Sequence, residues 1–157
     1  MSAVDDVGTG RMRWPAPAQL ADWRAFLRAH AHVLRQLEAD LLADGQPPLA
    51  MYDVLVQLVE APGRRLRMTE LAGAVLLSRS GLSRLVDRMQ AQGYVIREAS
   101  PRDARGRYAV ATDEGVAALR MAARTHLPGV REQVVDRLTP EELSALGRVC
   151  RKLLAEP

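Results

Sequence analysis

The chain has 157 residues, of which 48% are hydrophobic and 26% are charged, a balance typical of one soluble globular domain. No apolar run reaches the roughly 18 residues that a membrane span needs. The N-terminus lacks the basic and apolar regions of a signal peptide, and Cys150 is the single cysteine, which excludes an internal disulfide. We therefore expect a cytoplasmic protein.

The net charge is +3, and Lys152 is the only lysine among 22 basic residues. Arginine offers a planar set of donors that suits phosphates and guanine edges. An arginine-favouring, GC-rich genome would give the same composition, so the distribution of arginine along the chain has to decide between the two explanations.

The N-terminal part of the chain divides into an arm and a long helix. Residues 1–17 contain glycine and proline with little periodicity and are predicted to form a flexible arm. From residue 20, apolar side chains alternate at spacings of three and four, which predicts a helix of roughly 24 residues ending before Gly45. Its stripe is buried either within the chain or against a second copy; it comprises Leu20, Trp23, Leu27, His30, Leu34, Leu37 and Leu41.

Three shorter helices are predicted next, over residues 49–60, over residues 68–75 and from Ser78 to about Gly93. Serine is a favoured N-cap and glycine a favoured C-terminal stop. The last of these helices has one apolar stripe, formed by Leu82, Leu85, Val86 and Met89. The spacing of this stripe predicts that it faces the core.

Two extended runs, residues 94–98 and 107–112, flank a turn-rich segment and predict a β-hairpin. A fifth helix follows from residue 113 to about 138, with a kink or break expected at Pro128 and Gly129. Thr139, Pro140 and Glu142 form a capping-box pattern that predicts the start of a final helix.

A short helix, a tight link, a longer helix and a hairpin are the order of a winged helix-turn-helix. The outer face of the fourth helix carries the candidate contacts to bases and nearby phosphates, Arg79, Ser80, Ser83 and Arg84. Arg88 is predicted to contact a phosphate or to pair within the chain, with Asp87 or another acid. An ordinary solvent-exposed face would also be charged, but arginines at positions 64, 65, 67, 102, 105 and 107 surround the motif and favour DNA binding.

Residues 68–115 resemble the DNA-binding lobe of the MarR family of bacterial transcription regulators. Ser78-Arg79-Ser80, the run from Ser83 to Arg88, and Asp103-Ala104-Arg105 with Thr112 and Gly115 after it carry this resemblance. It implies that Arg105 enters the minor groove and that Asp103 holds an arginine in place. Arg102 and Arg107 are the other predicted DNA contacts of the wing.

The resemblance implies a mostly α fold with a small β-hairpin wing, a winged helix-turn-helix flanked by long dimerisation helices. The expected domain spans residues 18–157, with the DNA-binding lobe at about 49–112 and the dimerisation helices at about 18–45 and 113–155. It further implies a homodimer that acts as a ligand-responsive repressor on a pseudo-palindromic operator in double-stranded DNA. The alternative is a winged-helix protein-interaction module without specific DNA binding.

A small aromatic or phenolic effector is also implied, bound between the dimer helices and the DNA-binding lobe. The candidate contacts are Trp23, His30, Met51 and Tyr52, each of which would equally suit a core position. We expect no metal, no cofactor and no enzymatic activity, since the three histidines fit no metal-ligand motif and no catalytic motif is present.

Overall fold

A computed structural model of the protein describes residues 13–75, 78–100 and 103–155, and describes the backbone alone for Arg79, Ser100 and residues 103–106. Residues 1–12 of the predicted arm, and Arg102 of the predicted wing, lie outside these ranges. The flexibility of the arm and the domain limits therefore stay predictions.

Within the described residues the chain forms six α-helices and three β-strands. The helices are α1 (Pro17–Ala43), α2 (Leu49–Glu60), α3 (Met68–Ala74), α4 (Arg79–Ala91), α5 (Asp113–Gln133) and α6 (Pro140–Leu154). The strands are β1 (Arg65–Arg67), β2 (Val95–Ser100) and β3 (Asp103–Ala111). The fold is mostly α-helical with one small sheet, as the sequence predicts.

The sheet is antiparallel, with β3 at its centre and the strands in the order β1-β3-β2. Leu66 pairs with Ala109, and Ile96 pairs with Val110. The sequence predicted only a hairpin, and it assigned the arginines of β1 to a loop; that assignment is wrong. β2 and β3 also extend further into the predicted turn than expected.

The predicted stripe of α4 is confirmed as core. Its four apolar side chains are at most 2% exposed, and they join buried residues of α2, α3 and the sheet in one cluster. Leu37 and Leu41 of α1 form a second cluster with Tyr52 and Ala122. Leu119 of α5 packs against both clusters, so α5 connects the helix-turn-helix lobe to α1.

Side-chain caps fix where three helices begin. The hydroxyl of Ser78 accepts from the amide of Gly81, and that of Thr112 accepts from the amide of Gly115. Thr139 and Glu142 cap each other's backbone amides, which is the predicted capping box at α6. α4 ends before Gly93, whose φ of 77° suits glycine.

The predicted break at Pro128 is not observed, because α5 continues through it to Gln133. It ends before residue 138, and a single 3-10 turn, Val135–Arg137, follows. Gly129 is buried, and a Cβ there would lie 2.9 Å from Cδ2 of Leu37. The Pro-Gly pair therefore marks the close approach of α1 to α5 instead of a helix end.

Much of the apolar surface on the long helices has no cover within one protomer. Residues 21–30 of α1 are all exposed, including Trp23 at 53% and Phe26 at 41%. α6 contains no buried residue, and Leu153 is 68% exposed. The predicted stripe of α1 is therefore buried within the chain only toward its C-terminal end, at Leu37 and Leu41.

Gly115 provides a test of the packing between α5 and the lobe. A Cβ at this position would lie 2.1 Å from the carbonyl oxygen of Tyr94, which also accepts from the amide of Thr112. We expect Gly115→Ala to lower the free energy of unfolding by about 1–3 kcal/mol, the usual cost of overpacking. Urea denaturation at a fixed protein concentration measures the change.

Gly73→Ala is the matched control for this substitution. Gly73 is exposed on α3, and apart from its chain neighbours and the backbone of its own helix no atom lies within 4 Å of the Cβ that would be added. Alanine there should raise stability by about 0.5–1 kcal/mol, since glycine is a poor helix former. Equal effects of the two substitutions would contradict the close contact at Gly115.

Candidate nucleic-acid interface

The outward face of α4 carries most of the predicted DNA contacts that the structure describes. Because the stripe from Leu82 to Met89 is buried, the opposite face points to solvent. Ser80, Arg84 and Arg88 are exposed there, and Ser83 is partly buried. The side chain of Arg79 lies outside the description. α4 therefore presents guanidinium and hydroxyl donors, the groups that contact base edges and phosphates.

The first turn of α4 adds backbone amide groups to this face. The Ser80 hydroxyl lies 3.3 Å from that of Ser78, whose oxygen accepts from the amide of Gly81. The remaining free amides of the first turn carry the positive end of the helix dipole. A phosphate placed at this end would meet oriented donors.

Arg97 on β2 is a residue that the sequence analysis gave no role. Its guanidinium pairs with the carboxylate of Asp87 and donates to the backbone oxygen of Ser83 at 3.2 Å. The partner of Asp87 in the described structure is thus Arg97, and not Arg88. The sequence contained a signal for this role. Arg97 is two residues beyond Val95, which is buried, so strand alternation places both side chains on the inner face of β2. An arginine on that face needs a partner for its charge.

The wing is described mainly by its backbone. β3 includes positions 103–106, and Ser100 of β2 pairs with Asp103 across the hairpin. Arg107 is exposed and pairs with Ala99. The side chains of Asp103 and Arg105 lie outside the description, so their roles stay predictions.

The arginines near β1 have partners within the chain. Arg64 pairs with Asp113 at 2.8 Å, and Arg65 pairs with Glu98 at 3.5 Å. The ring of Tyr108 lies 4.5 Å from the guanidinium carbon of Arg65 and 5.6 Å from that of Arg67. The contacts of Arg65 and Arg67 are with residues of the sheet, and that of Arg64 is with the start of α5, so these arginines support DNA binding less than the sequence pattern suggested.

The structure does not bring the four candidate effector contacts together. Trp23 and His30 lie on the exposed half of α1, on either side of Phe26, with ring centroids 5.8 and 6.4 Å from it. Met51 is buried in the lobe cluster, and Tyr52 is buried in the cluster with α1. In one protomer, therefore, the first pair faces solvent and the second pair serves as core.

Two cavities lie next to the second helix. One, of about 650 Å³, is lined mainly by apolar side chains of α1 and α2. The charged residues Arg35, Glu38 and Asp53 also line it. The other, of about 640 Å³, lies along α4 and is lined in part by Arg84 and Arg88. The first has the size of a small-molecule site.

Tyr52 packs on His126 of α5, with ring centroids 4.2 Å apart. Nδ1 of His126 is buried without a hydrogen-bond partner among the described residues. Burial lowers the pKa of His126, and the nearby Asp53 opposes this effect. Burial also raises the pKa of Asp53 and of Tyr52. The contact between α2 and α5 thus favours a neutral imidazole.

This contact predicts a pH dependence of stability. In the unfolded chain His126 takes up a proton near pH 6.5, whereas burial in the folded protein lowers its pKa. The contribution of the neutral His126 to the free energy of unfolding is therefore complete above pH 6.5. It is lost as the pH falls through the lowered pKa of the folded state. We expect the urea midpoint to fall between about pH 7 and pH 5, and to fall less in His126→Phe, which keeps a ring against Tyr52. The raised pKa of Asp53 has the opposite effect on stability, and Asp53 is present in both proteins. Parallel pH curves for the two proteins would contradict the assignment.

Two kinds of feature are absent from the described residues. In those ranges, no group of three or more histidine, cysteine or acidic side chains is arranged to hold a metal ion. None of the described helices is long and apolar enough to cross a membrane.

Comparison with known proteins identifies similar chains. The family model described as MarR family matches residues 47–106. A MarR family transcriptional regulator from Streptomyces coelicolor, solved in complex with DNA, is 40% identical, with a TM-score of 0.86 and 93% of each chain covered. AbsC, a MarR family transcriptional regulator from the same organism, is 35% identical, with a TM-score of 0.82, covering 91% of this chain and 96% of its own.

A more distant structure shares the fold. A cysteine-to-serine mutant of MarR from E. coli, complexed with operator DNA, is 23% identical, with a TM-score of 0.77, covering 87% of this chain and 95% of its own. A search of curated proteins found no match. The two Streptomyces coelicolor structures align with this chain over nearly its whole length, so the similarity includes the long helices as well as the lobe.

Proposed function

Because the chain belongs to the MarR family of transcriptional regulators, which bind DNA, we propose that it binds a pseudo-palindromic operator as a homodimer and acts as a ligand-responsive repressor. The observation that carries this proposal is the division of α4 into a buried apolar stripe and an exposed face with Arg84 and Arg88. The alternative, a protein-interaction module, is not favoured, since the structure with 40% identity was solved with DNA bound.

In this proposal α4 enters the major groove with its N-terminal half toward the bases. Arg79, Ser80, Ser83 and Arg84 contact bases and nearby phosphates, and Arg88, one turn further along, contacts a phosphate. Arginine is well suited to guanine because it can donate to O6 and N7 together. The wing adds Arg102, Asp103, Arg105 and Arg107, with Arg105 in the minor groove.

The homodimer is supported by the uncovered apolar faces of the long helices. Trp23, Phe26 and Leu27 of α1 and Val149 and Leu153 of α6 are each more than 40% exposed. Clusters of exposed large apolar side chains mark interaction sites in soluble proteins. Two copies joined through it would present their α4 helices to half-sites about 34 Å apart.

An effector and a cellular setting complete the proposal. A small aromatic or phenolic molecule would bind between the dimer helices and the lobe, where the cavity between α1 and α2 supplies apolar walls. The candidate contacts Trp23, His30, Met51 and Tyr52 are not among the residues that line this cavity. Trp23 and His30 are exposed and available to a site completed by a second copy, whereas Met51 and Tyr52 would be reached only if the core opened. The protein would act in the bacterial cytoplasm, where the chromosome is, and without enzymatic activity.

Selection of bound duplexes from a random pool tests the function and supplies the operator. We expect a pseudo-palindrome with half-sites about ten base pairs apart. Arg84→Ala should then weaken binding to that duplex by ~1–3 kcal/mol, because it removes a base contact. Arg105→Ala should also weaken binding while the dimer and its melting temperature stay unchanged.

Arg151→Ala is the matched control, since Arg151 is exposed on α6, two residues from both Val149 and Leu153 and therefore on the opposite side of the helix. It should bind the selected duplex like the wild type. If Arg84→Ala and Arg105→Ala also bind like the wild type, the assignment of helix and wing is wrong.

The dimer interface is tested by placing a charge on the apolar face of α6. We expect Leu153→Glu to shift the protein from dimer to monomer in sedimentation velocity, because a carboxylate there would have to be buried without a partner. Arg151→Glu changes the charge more, but Arg151 is exposed two residues from both Val149 and Leu153, on the opposite side of α6, and this variant should leave the dimer intact. A dimer that tolerates Leu153→Glu would exclude this face from the interface.

A further inference from the structure

Arg97 differs from the arginines that α4 exposes to solvent. Its side chain is 26% exposed, whereas Arg84 and Arg88 are exposed to solvent. It extends from β2, at the base of the wing, to the flank of α4. It therefore lies between the two elements that are proposed to enter the two grooves.

The guanidinium of Arg97 contacts α4 at two residues one helical turn apart. Nη1 pairs with the carboxylate of Asp87, while Nη2 donates to both the backbone oxygen and the hydroxyl of Ser83, at 3.2 and 3.3 Å. Residues four apart lie on one side of a helix. A planar group held at both sites restricts rotation of the helix about its axis, which a point charge would not do.

These contacts also fix how Ser83 is presented. Its hydroxyl has one hydrogen to donate and two lone pairs. Because the oxygen accepts from Arg97, the hydroxyl hydrogen stays available to an acceptor outside the protein. Ser83, a proposed DNA contact, is thereby oriented as a donor.

At its other end, Arg97 is fixed to the wing. It pairs with Ala109 in the ladder between β2 and β3, and Val95 on the same face is fully buried. Movement of α4 relative to the hairpin would break the contacts with Ser83 and Asp87. We propose that Arg97 is a positioning residue that sets the orientation of α4 relative to the wing, and that discrimination between operator and other DNA depends on it. This inference rests on the proposed function, in which α4 and the wing bind DNA together.

A direct phosphate contact by Arg97 is the competing explanation, and the two differ in salt dependence. Loss of a phosphate contact reduces the slope of log K against log salt by about one. Loss of a positioning contact leaves the slope unchanged. They also differ at Asp87: if its carboxylate only repelled DNA, removing the charge would strengthen binding, whereas in the positioning role Asp87→Asn weakens it.

The experiment compares wild type, Arg97→Met, Arg97→Lys, Asp87→Asn and the double variant Arg97→Met/Asp87→Asn. Each is titrated with the duplex selected by the wild type and with a scrambled duplex, at several salt concentrations and well below its melting temperature. We expect Arg97→Met to lose about tenfold in affinity for the selected duplex, the usual size of coupling between contacting residues. Binding to the scrambled duplex and the salt slope should stay near wild type.

The remaining variants complete a double-mutant cycle between Arg97 and Asp87 and add the Arg97→Lys variant. Asp87→Asn should lose affinity in the same direction, the double variant should be no weaker than Arg97→Met alone, and Arg97→Lys should recover only part of the loss. Affinity and discrimination equal to wild type in Arg97→Met, a salt slope reduced by one, or stronger binding by Asp87→Asn would each overturn the positioning role. Failure of the wild type itself to select any duplex would instead overturn the proposed function.

Discussion

Burial of the α4 stripe is the constraint on which the DNA-binding lobe depends. Leu82, Leu85, Val86 and Met89 can enter the core only if the helix is rotated so that Arg84 and Arg88 face away from it. At roughly 1.5–3 kcal/mol for each buried side chain, this stripe outweighs any single polar contact on the surface. The hydrophobic effect has no direction of its own, however, and fixes the rotation of α4 only coarsely; the contacts of Arg97 with Ser83 and Asp87 add a directional restraint.

The features that the sequence predicts correctly depend on interactions between residues close together in the chain. The periodicity of α4, and the caps at Ser78 and Thr139, involve residues close together in the chain, and the structure has them as predicted. β1 could not be predicted in this way, because its three residues become a strand only by pairing with β3, more than 40 positions away. The same holds for α5 at Pro128, where packing against α1 outweighs the helix-breaking tendency of proline.

For the candidate site, residue types predicted the exposed face of α4 but not which charges are already engaged. Arg64 and Arg65 look like free phosphate contacts in the sequence, and they have acidic partners in the fold. Whether a surface arginine is free for DNA depends on carboxylates brought close by tertiary structure, which composition does not reveal. Alternation along a strand is a partial guide, since it would have placed Arg97 on the inner face beside Val95.

The uncovered apolar faces lie on α1 and α6, the first and last helices described, while the core of the lobe between them comes from one continuous stretch, residues 51–111. Local contacts form quickly, whereas an interface that uses both faces joins segments separated by most of the chain. In the proposed dimer, the lobe can therefore fold before the two apolar faces are paired. During that interval a newly made chain would hold a finished DNA-binding lobe beside unprotected apolar helices, the stage at which aggregation competes with pairing.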